Sequence, residues 1–231
     1  MTTIGTMVSR AQKAIGDSGA GTWAAATVKE WLIDGIGDYS QYFKRYQEYS
    51  YTLQSGDLAV HDYRKVLPGD CQHIVQVEYP TGQSPPAYLV RRDRTHEQFY
   101  DYEGYYDFQP VSDASDTPLL YLSEGLTTGY QFTVWYLTYY AGGALDDAAT
   151  LTVPFDHEGL LILFVIWRAF KERASVHVQD PDTTSDILQK MVNAANLAEQ
   201  EYRRAIRQAE RSQGAGGYAG PWRVDIHDPI Y

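Results

Sequence analysis

Six histidines, one cysteine and thirty acidic residues are the groups in this chain that could ligate a metal or move a proton. His157-Glu158 reads like the opening of a zinc-protease helix, where a second His one turn later completes the ligand pair and the Glu serves as base. Position 161 is Leu161, so that ligand is missing, and Asp156, His157 and Glu158 are expected to start a helix instead. Cys71 and His73 lie two apart in a stretch of strand character, a spacing that puts both side chains on one face. No third ligand follows nearby, so a packed thiol is expected rather than a structural metal. His61-Asp62 and His96-Glu97 read as surface or loop pairs, and His177 and His227 have no partner in the sequence around them. Carboxylate pairs are unavoidable with so many acids, so pairing alone does not indicate glycoside hydrolysis. Neither GxxxxGK[ST] nor GxGxxG occurs, and Gly214, Gly216 and Gly217 neither follow a strand nor open a helix, so they cradle no phosphate. The expectation is a chain with no catalytic residue, no metal and no cofactor, which works through its surfaces.

Those surfaces have to be presented by regular elements. Residues 3–15 predict a short helix with Ile4, Met7, Val8, Ala11, Ala14 and Ile15 on one side. After a loop at 16–21, Thr22 is a cap candidate for a helix from Trp23 to about Glu48, in which Ala24, Val28, Trp31, Leu32, Ile36, Tyr39, Phe43 and Tyr46 recur at helical spacing. Gly35 and Gly37 cost about 1 kcal/mol each in a helix interior. Either the helix is distorted there or something packs close to its backbone.

Around Tyr49 the period changes to that of strands. YSYTLQ (49–54), HIVQVEY (73–79), YLVRR (88–92), YYDFQPV (105–111), PLLYLSE (118–124) and YQFTVWYLTYY (130–140) are strand candidates separated by turn residues, whereas LAVHDYR (58–64) reads as one helical turn or a loop. Residues 141–150 read as an acidic loop. GLLILFVIWRAFKER (159–173) then predicts a helix apolar nearly all round, to be buried in a core or between partners. A long amphipathic helix follows from about 185 to about Gln213, with Glu199, Glu201, Arg203, Arg204, Arg207, Glu210 and Arg211 on its outer face. GAGGYAG (214–220) cannot hold a helix, which makes Gly214, Gly216, Gly217 and Gly220 a hinge. The final PWRVDIHDPIY carries Trp222, Val224, Ile226, Ile230 and Tyr231, anchors that belong against a surface, either the chain's own sheet or a partner.

The fold class expected is therefore α+β. A helical bundle is built from N- and C-terminal segments (1–48 and 151–213), an antiparallel β-sandwich or barrel-like module (49–150) is inserted into it, and an extended arm (214–231) follows. The 231 residues are 44% hydrophobic and 21% charged, as in an ordinary globular protein. Tyr occurs 20 times, which fits either aromatic packing within sheets or surfaces that meet another subunit. A lone Cys71 rules out an intramolecular disulfide and fits a reducing compartment. MTTIGTMVSR lacks the pattern of a signal peptide, and the longest apolar run, Gly159 to Trp167, falls far short of a span, so a soluble chain without membrane contact is expected. From Ser50 to Glu158 there are 16 acidic and 5 basic residues, a balance equal to the whole net charge of -11. Of the basic residues only Arg91, Arg92 and Arg94 cluster, too few for a tight grip on duplex DNA.

Four stretches, in order, resemble the head-to-tail adaptor, or head-completion, proteins of tailed bacteriophages. They are WLIDGIGDYSQYF (31–43), SGDLAVHDYRKVLPGDCQHIVQVEYP (55–80), VWYLTYYAGGALDDAATLTVPFDHEGLLILFVIWRAFKERAS (134–175) and MVNAANLAEQEYRRAIRQAE (191–210). WLIDGIGDYSQYF is similar to the family's "INDAIRDYS" helix, with Gly35 and Gly37 standing in it. Residues 55–80 resemble a strand-rich insertion, and the last two stretches resemble the closing helical pair. The resemblance implies a homo-oligomeric ring, usually of about twelve subunits, mounted beneath the portal in the neck of the virion and assembled in the host cytoplasm. Portal and tail or neck proteins would be its partners, and DNA would pass through without sequence-specific binding. By that analogy Trp222, Arg223, Val224, Ile226, Ile230 and Tyr231 dock on the portal. Arg203, Arg204, Arg207 and Glu199, with Asp146 and Asp147, are the candidate contacts between subunits. The β module leaves a neck gatekeeper or a tail-tube-linked protein open as alternatives. From other classes, a glycan-binding module using the tyrosines and a lytic enzyme also stay open.

Overall fold

Thr3 is extended, and its hydroxyl accepts from the Thr6 N–H at 3.2 Å, so α1 (Ile4–Ala14) begins on the cap its sequence supplies. The computed structural model describes residues 2–17, 21–55, 64–110, 117–123, 127–140, 146–178 and 185–215. The chain divides into two units, one made of Met1–Phe43 with Tyr140–Tyr231 and the other of Lys44–Tyr139.

In the first unit, α1 is followed by α2 (Ala25–Tyr42), a single 3-10 turn at Phe155–His157, α3 (Glu158–Val178) and α4 (Ser185–Ala215). Thr22 does not cap α2. The capping residue is Ala24, and the loop before it is tied by Asp17, whose carboxylate accepts from the backbone N–H of Gly21, Thr22 and Trp23. These bonds, chiefly those from Thr22 and Trp23, hold the Asp17 carboxyl below the usual carboxylate range. The core takes Ile4, Met7, Val8 and Ala11 from α1, Val28, Trp31, Leu32, Ile36 and Tyr39 from α2, and Leu160, Leu161, Phe164, Val165 and Ala169 from α3. Tyr202 and Ile206 of α4 close it. Each such large apolar side chain contributes about 1.5–3 kcal/mol of burial, so residues from both ends of the chain stabilise one core. The helical period expected to reach about Glu48 breaks earlier. Phe43 is already extended and Tyr46 is exposed, because this stretch pairs along a neighbouring strand and exchanges its intrahelical bonds for a ladder.

The second unit has seven strands: β1 (Arg45–Thr52), β2 (Arg64–Val66), β3 (His73–Glu78), β4 (Val90–Arg91), β5 (Tyr105–Gln109), β6 (Leu119–Leu122) and β7 (Gln131–Thr138). They form a three-stranded sheet ordered β1-β7-β3 and a four-stranded sheet ordered β2-β6-β5-β4. All pairings are antiparallel except β4 with β5. Phe132, Val134 and Tyr136 on β7 and Ile74 and Val77 on β3 pack with Tyr106, Phe108, Leu120 and Leu122 of the other sheet in one apolar cluster. That cluster gives the unit its sandwich character. A bulge between Ile74 and Gln76 turns Val75 outward and brings Val77 in, which is why the run IVQV does not alternate simply. The strand β2 begins on the last residue of LAVHDYR, and residues 58–63 of that stretch lie outside the described set. With boundaries at Lys44 and Tyr139 the β unit holds 13 acidic and 7 basic residues, net -6, so -5 of the total of -11 lies in the helical unit. The charge is shared between the units rather than confined to the sheets.

Gly35 and Gly37 differ sharply. A Cβ on Gly35 would stand 2.9 Å from Cδ1 of Phe164, whereas one on Gly37 would meet nothing within 4 Å. The close approach therefore explains the first glycine. Gly37 is an exposed helix position without that constraint. Gly35→Ala is expected to destabilise by about 1–3 kcal/mol, and Gly37→Ala to stabilise by about 0.5–1 kcal/mol; denaturant midpoints of the two variants check both signs.

Candidate assembly interface

Of the residues singled out as possible chemistry, His157 and Glu158 form interior contacts. Tyr39 hydroxyl and His157 Nδ1 share a hydrogen bond of 2.6 Å, inside a ring stack with Phe43 and Tyr140. Glu158, only 2% exposed, receives Arg10 Nη1 at 2.5 Å and opens α3, where its charge also faces the positive end of the helix. Asp156 is not a cap. It sits inside the 3-10 turn with its carboxylate in solvent. Both buried members of this cluster have partners within the unit, so the geometry is that of a satisfied polar core.

Cys71 and His73 do not share a face. Cys71 precedes β3 in a turn and is buried, while His73 begins the strand with its side chain exposed. Burial, with the nearby Asp70 carboxylate adding to it, pushes the Cys71 thiol up to about 12. His96 and Glu97 lie in an exposed turn after β4. His61, Asp62 and His227 lie outside the described residues, and the His177 side chain is likewise not described. Among the described residues no three of His, Cys, Asp and Glu are placed to hold a metal, and no helix is long and apolar enough to cross a membrane. The arginine cluster is largely committed to the sheet: Arg94 lies 3.9 Å over the Tyr121 ring and donates to Gln109 at 3.1 Å, and Arg92 lies 4.7 Å over the Tyr105 ring.

What the helical unit offers outward is a long two-helix hairpin. Its shared core ends at Ala169 on α3 and begins at Tyr202 on α4. Beyond those points Ala174 and Ala195 are buried between the two helices, and Phe170, Val176, Val178, Ile187, Val192 and Leu197 are exposed. Across that stretch runs a shallow apolar groove of about 270 Å³ lined by Phe170, Arg173, Ile187, Lys190, Met191 and Ala194. It lacks the depth and convergent polar groups of a small-molecule site. An exposed apolar face of this kind is a candidate assembly surface.

A family model described as SU10 adaptor protein matches residues 2–225. The chain belongs to this family of head-to-tail adaptors. No curated protein gives a significant match. Adaptor membership implies a structural role at the junction of capsid and tail, with portal and tail components as partners. It is consistent with the ordered segments from 31–43 to 191–210, which fall on α2, the β unit, α3 and α4.

Within the adaptor, the residues expected to face other subunits are in varied states. Arg203 Nε donates to Glu199 at 2.7 Å, one turn away, and Arg207 Nε donates to the Arg203 carbonyl at 3.2 Å. Asp147 pairs with Lys29, and its carbonyl accepts from Gly5 N–H. Asp146 holds its own turn through Ala148 N–H at 2.9 Å. Arg204 is exposed. Gly214 lies in the last turn of α4, and Gly216, Gly217, Gly220, Trp222, Arg223, Val224, Ile226, Ile230 and Tyr231 lie outside the described residues.

Sequence reasoning missed Asp17, the Arg10–Glu158 pair, the hydroxyl of Tyr202 donating to Asp38 at 2.5 Å, and the exposed Phe155. Only Asp17, an Asx residue ahead of a helix, left a local signal; the pairs join positions more than a hundred residues apart. Burial first, then the bond to Asp38, raises the Tyr202 phenol well above its ordinary value near 10. A pKa raised on folding adds stability that is intact below the unfolded value and is lost as pH climbs towards the folded one. Tyr202→Phe should therefore cost about 1–2 kcal/mol at pH 7 and flatten the decline in stability above pH 10, read from denaturant midpoints across that range. The Cys71 thiol should stay silent to a disulfide reagent at pH 8 in the native protein and react fully in denaturant; reaction at the free-thiol rate without denaturant would refute its burial.

Proposed function

We propose that this adaptor subunit builds a ring beneath the portal, of about twelve copies, and joins capsid to tail around the DNA channel. The match over residues 2–225 carries the reading. The helical unit forms the ring body, and the β unit faces neighbouring subunits or tail-side proteins. Both units are acidic, at -5 and -6, which supports a channel that DNA traverses without being gripped. In this reading the protein is a structural one, without turnover, located in the virion neck.

The segment after α4 is the portal-docking arm, hinged from Gly214 in the last turn of that helix through Gly216, Gly217 and Gly220, with Trp222, Arg223, Val224, Ile226, Ile230 and Tyr231 as its anchors. Its composition supports this, because a glycine-rich stretch precedes large side chains that gain most by burial on a partner. The charged face of α4, with Arg203, Arg204, Arg207 and Glu199, and the turn at Asp146 and Asp147, supply contacts between neighbours in the ring. Where an arginine and a glutamate already pair within one helix, a neighbour adds to the pair rather than creating it.

Deleting 214–231 should leave a folded subunit with an unchanged thermal midpoint that no longer binds the purified portal ring. Portal affinity that survives the deletion would overturn the docking role of the arm. Native mass spectrometry of the portal with the full-length chain counts the copies directly.

A further inference from the structure

Phe155 is 79% exposed, the most exposed large apolar side chain among the described residues, and the neighbouring Asp156 carboxylate is 80% exposed. The 3-10 turn that carries them stands immediately before α3. The His157 ring lies beside Asp156, with Nε2 at 3.9 Å, and its Nδ1 is turned inward to Tyr39. The turn thus offers solvent one aromatic ring beside one negative charge.

The groove at the far end of α3 is its chemical counterpart. Phe170, Ile187, Met191 and Ala194 supply an apolar floor, and the exposed Arg173 and Lys190 stand on its rim. Neither cation makes an ion pair with a described residue, though Asp186 lies one turn before Lys190 on the same helix. The space, about 270 Å³, suits a single aromatic side chain rather than a metabolite.

The knob precedes the first turn of α3 and the groove lies along its far half, on the order of 20 Å away at 1.5 Å per residue. They cannot meet within one subunit. They can meet between two, head to tail, which is the heterologous contact that closes into a ring when its rotation divides a circle. We infer that Phe155 of one subunit seats in the groove between α3 and α4 of a second copy of this chain, with Asp156 against Arg173 and Lys190. This rests on the ring reading and adds the contact by which neighbours are joined. The exposed apolar tip of the hairpin then has an occupant that is present in every ring.

Cysteine pairing in the full-length chain, free and on the portal ring, tests this with electron microscopy following ring formation. Cys71 can stay, since it is buried. A chain carrying Pro154→Cys and Ala194→Cys, which keeps the Phe155 ring, should give a ladder of cross-linked multimers, at least tenfold more than either single variant. Rings without a ladder would overturn the contact while leaving the ring standing, and no rings and no ladder would overturn both. A link between Ala194→Cys and Ile226→Cys in place of the Pro154→Cys one would give the groove to the chain's own C-terminal segment and also overturn it. Asp156→Lys and Arg173→Glu should each reduce the ladder about tenfold with the thermal midpoint unchanged, and together restore it. Reversal without loss, or without rescue, counts against the pairing.

Discussion

The helical unit depends on the close approach of α2 to α3, where the Phe164 ring occupies the space that a side chain at position 35 would need. Phe164 in turn packs edge-on to Trp167 and Tyr202, so the ring that meets Gly35 also meets α4. Three helices from opposite ends of the chain are therefore locked through one aromatic side chain. The buried pairs around it, Tyr39 with His157 and Arg10 with Glu158, stabilise the start of α3 in the same way, since each joins the N-terminal segment to the C-terminal one. A unit closed by both chain ends can carry an entire β domain between them without loss of its own core, because the intervening residues contribute nothing to that core.

The β unit solves a different problem. Its strands are short and its two sheets are small, so neither buries enough apolar surface alone. Packing Phe132, Val134 and Tyr136 against Tyr106, Phe108 and Leu120 lets each sheet cover the other. Its tyrosines divide between the two roles that composition left open. Tyr106 and Tyr136 are buried, while Tyr46, Tyr88, Tyr100, Tyr102 and Tyr130 stand exposed. Arginines that could have touched phosphate lie instead over tyrosine rings. The unit's outer chemistry is aromatic and acidic.

Much of this is legible locally. The period of α1, α2 and α4, the strands at 73–79, 105–111, 118–124 and 130–140, and the insertion of a β region into a helical body all follow from spacing, because a helix or strand buries one face at a fixed repeat. The helix-to-strand change near Phe43 escapes that rule, since Tyr39, Phe43 and Tyr46 keep helical spacing although the chain from Arg45 pairs along β7 instead. The absence of a zinc-protease pattern at 161 is also plain, as a motif is a property of adjacent residues.

Sequence alone thus determined the kinds of element, their order and the family to which the four ordered segments point. Only the tertiary structure decided which glycine is obligatory, that Cys71 and His73 part company, that Glu158 is paired, and that an exposed Phe155 and an apolar groove stand at opposite ends of one helix. The reason is physical. Local period is written in residues a few positions apart, whereas close approach, burial of charge and surface complementarity depend on groups that only the folded chain brings together.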